Sequence, residues 1–444
     1  MPKVVLTIGG SDSGGGAGIQ ADIKTFSALG LHGTSVITAV TAQNTLRVQR
    51  VFGMEPEEVS EQLRSVTDDF HIDFAKTGML YSSEIVKAVA SHLVETKIPL
   101  VLDPVIEAEA GGRLLRPDAV KAVKENLIPL AHVVTPNIFE VQALTGVPVK
   151  DAASAEIAAH KILDLGANAV MIKGGHLDCT DFLFEDLELY QIHGKRVEGG
   201  NHGVGCTYSA ALTSFLANGC SLKKAAIEAK NFAAQAISNS MDVGKGVAPV
   251  SQTGALLKEA HRFRAISDVQ TAIELLEKGN IEHILPKTGS SIGMAIPEAA
   301  SLEDIAEGKI IQDDGVGVHQ SGCVRFGVDN LLTRIILAAK SFDPNARAAV
   351  ILNTDTNVCS ALGLKPISIQ GQLTANVIAT DEISLRAFQL AVIKDTTIDT
   401  AAISELLDKL DEKHLSILIG TNATNVAATI VMLAKLLDHS DGKL

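Results

Sequence analysis

A two-part α/β architecture is predicted by three observations. Short β-branched apolar runs alternate with segments of helical period, polar and glycine-rich residues gather where those runs end, and 444 residues exceed what one ordinary core accommodates. The expected sheet is mostly parallel and covered by helices on both faces, with ligands beyond the carboxyl ends of its strands.

The first run, Val4-Val5-Leu6-Thr7-Ile8, ends in Gly9-Gly10 and reads as a buried strand. A glycine loop from Ser11 to Gly18 follows. Ile19, Ile23 and Phe26 then recur at helical spacing, so the opening is strand, glycine turn, helix. Gly16 to Ala21 satisfies a loose G-x-G-x-x-A pattern, which a turn that simply needs glycine explains better than a dinucleotide site does, and no P-loop is present. Strands are then expected at 35–41, 74–79, 100–103 and 133–135, with helices at 56–68, 83–95 and 117–126 between them. A further strand is expected at 169–172 and a small-residue helix at 225–241.

The strand ends carry the chemistry. Gln43, Thr77-Gly78-Met79, Asp103-Pro104, Thr135-Pro136-Asn137 and Lys173-Gly174-Gly175-His176 each follow a strand. Asp103, Asn137 and Glu140 are oxygen ligands of the hard type that Mg²⁺ accepts through water and substrate phosphates, although a helix first turn explains Glu140 as well. Lys173 is a point charge suited to a phosphoryl group, or else a solvated loop lysine. In Asn201-His202-Gly203-Val204-Gly205-Cys206-Thr207 the glycines let backbone N–H groups converge at a helix start, where an anion is favoured. Cys206 on that first turn is expected to have a lowered pKa and to act as base or nucleophile; a buried structural cysteine fits the same stretch.

Composition narrows the class. At 46% hydrophobic and 20% charged the chain is globular. A net charge of −14, no tryptophan and three tyrosines argue against nucleic acid as the partner. Cys179, Cys206, Cys220, Cys323 and Cys359 form no C-x-x-C pair, so neither a disulfide framework nor structural zinc is expected. No apolar run approaches the ~20 residues of a membrane span. The start MPKVVLTIGG lacks a secretion signal, so the expected compartment is the cytoplasm.

Seven motifs in order, Gly9 to Asp22, Thr38 to Asn44, Lys76 to Leu80, Val101 to Val105, Thr135-Pro136-Asn137 with Glu140, Lys173 to His176, and His202 to Thr207, closely resemble the hydroxymethylpyrimidine/phosphomethylpyrimidine kinases of the ribokinase-like superfamily. The resemblance implies a domain over 1–262 that uses ATP and Mg²⁺. It would phosphorylate 4-amino-5-hydroxymethyl-2-methylpyrimidine and then the monophosphate, with no nucleic-acid or membrane partner. Gln43 would pair with the aminopyrimidine edge, Asp22 would hold the ring's other polar edge, Met79 and Val105 would pack it, and Gly10 would line the same pocket. Cys206 would be the base, beside Lys173 and the anion hole of Gly203, Val204 and Gly205. Val204 replaces the threonine usual in that loop, and the hole is expected to survive because its donors are main-chain. Lys245, between Gly244 and Gly246, is a candidate for phosphate contact or a surface lysine. Kinases of this superfamily commonly pair, so a homodimer is implied.

Composition shifts near residue 265, where a second, smaller α/β domain over 263–444 is expected. A linking helix is expected at 251–264 and another at 267–278, strands at 292–296, 310–312, 348–352 and 416–420, and helices at 329–341, 384–393, 403–410 and 422–437. Cys323 to Gly327 and Thr333 to Pro344 are similar to the ThiN-type thiamine-phosphate synthase domain, which joins the pyrimidine pyrophosphate to thiazole phosphate. Arg325 and Arg334 are the candidate phosphate grips. The Ser and His residues usual after the Phe-Gly pair are replaced by Val328 to Leu332, and Asp329 adds negative charge there. Two readings stand: a working synthase, or a domain without catalysis that binds thiamine phosphate or serves oligomerisation.

Overall fold

The computed structural model describes residues 2–107, 114–175, 177–313, 317–352, 367–369, 373–379 and 415–440. His176, Cys359 and the helices expected at 384–393 and 403–410 lie outside the described residues. The chain divides into two compact units, Met1–Leu256 and Leu257–Leu444.

In the first unit nine strands form one sheet: β1 (Val4–Asp12), β2 (His32–Gln43), β3 (Val48–Gly53), β4 (Phe74–Thr77), β5 (Leu100–Leu102), β6 (Ala131–Val134), β7 (Val170–Ile172), β8 (Asp181–Glu185) and β9 (Glu188–Ile192). Their order is β3-β2-β1-β4-β5-β6-β7-β8-β9. The six central strands pair in parallel, and β3, β8 and β9 join the two ends antiparallel. Among the described residues, eight α-helices accompany them: α1 (Gly18–Ala28), α2 (Pro56–Thr67), α3 (Ser83–Thr96), α4 (Pro117–Ala122), α5 (Ile138–Thr145), α6 (Ala152–Leu163), α7 (Val204–Ala217) and α8 (Leu222–Ser238).

One face carries a large core that includes Leu6, Ile8, Val36, Val86, Leu102 and Val134. On the other face Val101, Val133 and Met171 pack with α7 and α8, whose Ala211, Ala225, Ala226 and Ala229 let the helices approach closely. This near-continuous burial of both faces is why β5 and β7 read as uninterrupted apolar runs. β1 carries a register shift between Gly9 and Gly10, at the end where it approaches Met79.

In the second unit the sheet order is β12-β11-β10-β13-β16-β15-β14, using β10 (Ser290–Ala295), β11 (Ile305–Asp313), β12 (Gly317–Phe326), β13 (Ala348–Leu352), β14 (Ile367–Ile369), β15 (Leu373–Ala379) and β16 (Leu415–Gly420). All its pairings are antiparallel except β15 with β16. α9 (Gly254–Glu277), α10 (Leu331–Phe342) and α11 (Ala423–Ser440) contribute to one core with Ile292, Val350 and Leu418. The two helices expected at 251–264 and 267–278 are one: no glycine or proline stands between Gly254 and Glu277 to end the first. Among the described residues no helix is long and apolar enough to cross a membrane.

Candidate active site

Two glycine loops meet backbone to backbone at the end of β1. Gly18 opens α1 at φ +59°, where a Cβ would overlap the Gly10 carbonyl oxygen. Gly203 caps α7 at φ +88°, where a Cβ would overlap the carbonyl oxygen of Gly16. Only glycine satisfies both the left-handed backbone and the approach. Within α7 the Val204 N–H donates to Asn201 O and the Thr207 N–H to Gly203 O, so the Gly205 and Cys206 N–H groups are left over at the first turn. Such groups, with the dipole behind them, suit an anion.

Cys206 sits where the starts of α1 and α7 converge, with the Gly18 N–H directed to its sulfur. The lowered thiol pKa expected for a helix first turn is not what this position produces. Burial pushes the thiol up to about 11, the nearby Lys76 ammonium opposes this, and the Asp22 and Asp103 carboxylates add to it. The side chain keeps partial exposure, yet the protein packed around it removes most of its hydration. Desolvation and two anions outweigh the helix dipole, whose effect is confined to its terminal turn.

Lys76 and Asp22, both close enough to act on Cys206, form an ion pair, each about 1% exposed, with Nζ 3.0 and 2.9 Å from the two carboxylate oxygens. The Thr7 hydroxyl donates to Asp22 Oδ2 at 2.6 Å. Burial raises the Asp22 pKa against the pull of Lys76, while the Lys76 pKa is itself raised because the surrounding anions outweigh desolvation. With three donor contacts converging on it, Asp22 is held as the carboxylate. Gly78 makes room for the ammonium, which lies 3.1 Å from where its Cβ would stand.

A second charged group lies beside Gly205. Lys173 Nζ is 2.8 Å from Asp103 Oδ1 and 3.6 Å from where a Gly205 Cβ would stand. Ser209, one turn after Gly205 on α7, donates to Asp103 Oδ2 at 3.0 Å, and Thr135 donates to Oδ1 at 3.3 Å. Burial works against the Lys173 charge, but Asp103 and Glu140 raise its pKa. Glu140 is pushed up to about 7 by burial, with Lys173 opposing and Asp103 adding. Asn137 caps α5: its side chain accepts from the Phe139 and Glu140 N–H groups, and Glu140 accepts from the Asn137 N–H at 2.8 Å. Asp103 and Glu140 therefore share one lysine between two carboxyls, an oxygen-donor set with charge to spare for a divalent cation. The amide oxygen of Asn137 is already engaged in the cap.

Gly10 and Met79 touch, since a Cβ at Gly10 would lie 2.9 Å from Met79 Sδ. The Met79 carbonyl accepts from Thr38 at 2.6 Å. Val105 is half-buried in the turn after β5. The Gln43 backbone N–H donates to Ser13 Oγ, and the Thr41 hydroxyl donates to Gln43 Oε1 at 3.2 Å. Lys245 is in an exposed loop whose neighbouring Gly246 and Val247 N–H groups donate to Thr45. In the second unit Arg325 is exposed on β12, and Arg334 makes a two-pronged contact with Asp329 at 2.6 and 3.0 Å.

Two residues that contact the site's carboxylates, Lys76 and Ser209, had no role assigned by sequence. A lysine in the otherwise apolar strand Phe74–Thr77 was the available signal for Lys76, because a buried strand lysine needs a partner.

Residues 12–251 match the family model described as phosphomethylpyrimidine kinase, and residues 268–435 match the model described as thiamine-phosphate synthase ThiN. The hydroxymethylpyrimidine/phosphomethylpyrimidine kinase of Streptomyces coelicolor is 45% identical over 258 residues, covering 57% of this chain and 96% of that protein. A thiamine biosynthesis bifunctional protein of Geobacter sulfurreducens is 44% identical over 252 residues, covering 56% of this chain. Here the match spans about half of the relative's length, 51%. Among solved structures, the pyridoxal kinase of Staphylococcus aureus in complex with AMP-PCP and pyridoxal is 36% identical with a TM-score of 0.53, covering 57% of this chain and 94% of that one.

Proposed function

We propose that this chain, which belongs to the phosphomethylpyrimidine kinase family through residues 12–251, transfers phosphoryl groups from ATP to 4-amino-5-hydroxymethyl-2-methylpyrimidine and then to its monophosphate. The observation that carries the reading is Cys206 at the convergence of two helix starts, beside Lys173 and the unpaired first-turn N–H groups. Lys173 and the Gly205 and Cys206 N–H groups receive the transferring phosphoryl oxygens. Gly203 supplies the left-handed turn that aims those groups, and Val204 costs the hole a hydroxyl while its N–H is already held by Asn201. Cys206 takes the proton of the hydroxymethyl group. Gln43 offers both a donor and an acceptor to the aminopyrimidine edge, with Met79, Val105 and Gly10 around the ring. Asp22 acts on the ring indirectly, since Lys76 and Thr7 occupy its oxygens.

Asp103 and Glu140, with Asn137 beside them, would hold Mg²⁺, which would neutralise phosphate charge during transfer. Lys245 is the remaining candidate for a nucleotide phosphate. The kinase domain is assigned to 1–262 and the second domain to 263–444, in a cytoplasmic homodimer of the kind common among ribokinase-like kinases.

The C-terminal domain condenses the pyrimidine pyrophosphate with thiazole phosphate, a reading supported by the match over 268–435. A second reading, binding of thiamine phosphate without turnover, is favoured by the Asp329 carboxylate that already engages Arg334. One incubation addresses both domains: full-length protein with ATP, Mg²⁺, thiazole phosphate and either the pyrimidine alcohol or pyridoxal. Thiamine phosphate is expected from the pyrimidine. Pyrimidine pyrophosphate accumulating without thiamine phosphate supports the binding reading, and turnover of pyridoxal alone overturns the substrate assignment.

A further inference from the structure

His202 has no part in the chemistry above, yet it joins the two glycine loops to the pyrimidine side of the pocket. Its main chain is fixed on both sides: the N–H donates to Ala248 O at 3.3 Å and the carbonyl accepts from Val250 N at 3.1 Å. The imidazole is 9% exposed and lies against Gly16, where a Cβ would overlap its Cδ2. Its Nε2 is 3.0 Å from Asp12 Oδ2 and 3.5 Å from Gln43 Nε2.

Asp12 is equally committed. Oδ1 accepts from the Gly14 N–H at 2.8 Å, and Oδ2 from the Gly16 and Ala17 N–H groups at 3.1 and 2.8 Å. A carboxylate so supplied with donors places the imidazole proton on Nε2, facing it. An Nε2–H cannot accept from the Gln43 NH₂, so the group complementary to it is the Gln43 carboxamide oxygen, which shares the one Nε2 proton with Asp12 as the longer arm of a three-centre contact. The amide is then turned end for end from the assignment above, so that its NH₂ donates toward the Thr41 hydroxyl and the pocket, and the oxygen keeps its second lone pair as the acceptor for the aminopyrimidine; which end is nitrogen is set by this network.

We propose that His202, held by Asp12, is a positioning residue that orients the Gln43 amide and thereby sets affinity for the pyrimidine. The inference rests on the kinase reading, in which Gln43 meets the aminopyrimidine edge. It goes beyond that reading by tying recognition to the loop that carries the anion hole.

The test is a double-mutant cycle with full-length protein, reading KM for the pyrimidine alcohol and for ATP separately. His202→Leu is expected to raise the pyrimidine KM about tenfold or more, with the ATP KM within about twofold, because one buried polar contact is lost on one substrate only. His202→Gln, whose terminal amide can donate to Asp12, is expected to restore most of the affinity. In a Gln43→Met background, His202→Leu should have little further effect, since the two residues act as one unit.

An unchanged pyrimidine KM, an equal rise for ATP, or a glutamine variant no better than leucine overturns the proposal. If the leucine variant does not melt cooperatively, His202→Asn, too short to reach Asp12, takes its place with the same expected split. Failure of the kinase reading is visible separately, as absence of turnover by the unmodified protein. In that event calorimetric binding of the pyrimidine alcohol to the same variants decides the proposal, and equal affinities refute it.

Discussion

Replacing Cys206 by alanine is expected to lower kcat by a factor on the order of 10² to 10⁴, the usual contribution of a positioned acid or base, while the pyrimidine still binds. The ring contacts proposed for Gln43, Met79 and Val105 do not depend on the sulfur, so calorimetry should record near-normal affinity. Cys206→Ser should fare little better, because a hydroxyl is a far weaker acid than a thiol. In the unmodified enzyme the thiol is pushed up to about 11. Only a small thiolate fraction exists near neutrality, and it grows with pH. The rate should therefore climb between about pH 7 and 9 in steady-state assays, and that rise should vanish with the residual activity of the alanine variant. The same shift has a stability consequence of opposite sense: the buried neutral thiol favours folding below the unfolded value of about 8.5, and this advantage is lost as the pH rises toward the folded value. Turnover near normal in Cys206→Ala would remove the cysteine from the mechanism.

Lys76→Met should be the most destabilising single substitution in the kinase domain. It leaves Asp22, about 1% exposed, as a buried carboxylate with only Thr7 as a side-chain donor. Breaking one partner of such a pair costs about 3–5 kcal/mol, measurable as a shift in the urea midpoint at unchanged slope. Asp22→Asn should also destabilise, by stranding the ammonium. The double variant Lys76→Met/Asp22→Leu should recover much of the loss, because an apolar pair of similar volume replaces two charges that had to be stripped of water. Recovery of stability without recovery of activity would place the pair's charge near Cys206 in the catalytic apparatus. A single Lys76→Met variant as stable as the parent would contradict the burial on which the argument rests.

Much of the kinase domain was legible because its parallel strands are buried on both faces and so write themselves as apolar runs closed by polar residues. Asp103, Asn137 and Lys173 all follow β-strands in the structure, and the Asn137–Lys173 bridge brings two of those ends side by side. Strands at the sheet edges were not legible. Val48-Gln49-Arg50-Val51-Phe52-Gly53 and Glu188-Leu189-Tyr190-Gln191-Ile192 carry too much polarity to read as core, and their pairing with β2 and β8 is what makes them strands. β12 escaped notice for the same reason, since Ser321, Gly322, Cys323 and Arg325 break its apolar pattern.

Within the site, residue types were readable and their electrostatics were not. The acidity of Cys206 was argued from its own helix, whereas what decides it, burial first and then the charges of Lys76, Asp22 and Asp103, comes from other elements far away in sequence. Lys76 finds Asp22 54 residues away and Asp12 finds His202 190 residues away, separations at which no spacing rule operates. The Asp329–Arg334 contact is the opposite case: five residues apart, it was foreseeable as a conflict between an acid and a phosphate grip.

The most direct test of the kinase assignment is a time course of full-length protein with ATP, Mg²⁺ and the pyrimidine alcohol, with the alcohol, monophosphate and pyrophosphate separated and quantified. Sequential appearance of monophosphate and then pyrophosphate, slowed by a factor on the order of 10² to 10⁴ in Cys206→Ala, is the predicted result. Persistence of the alcohol in the presence of folded, unmodified protein would contradict it.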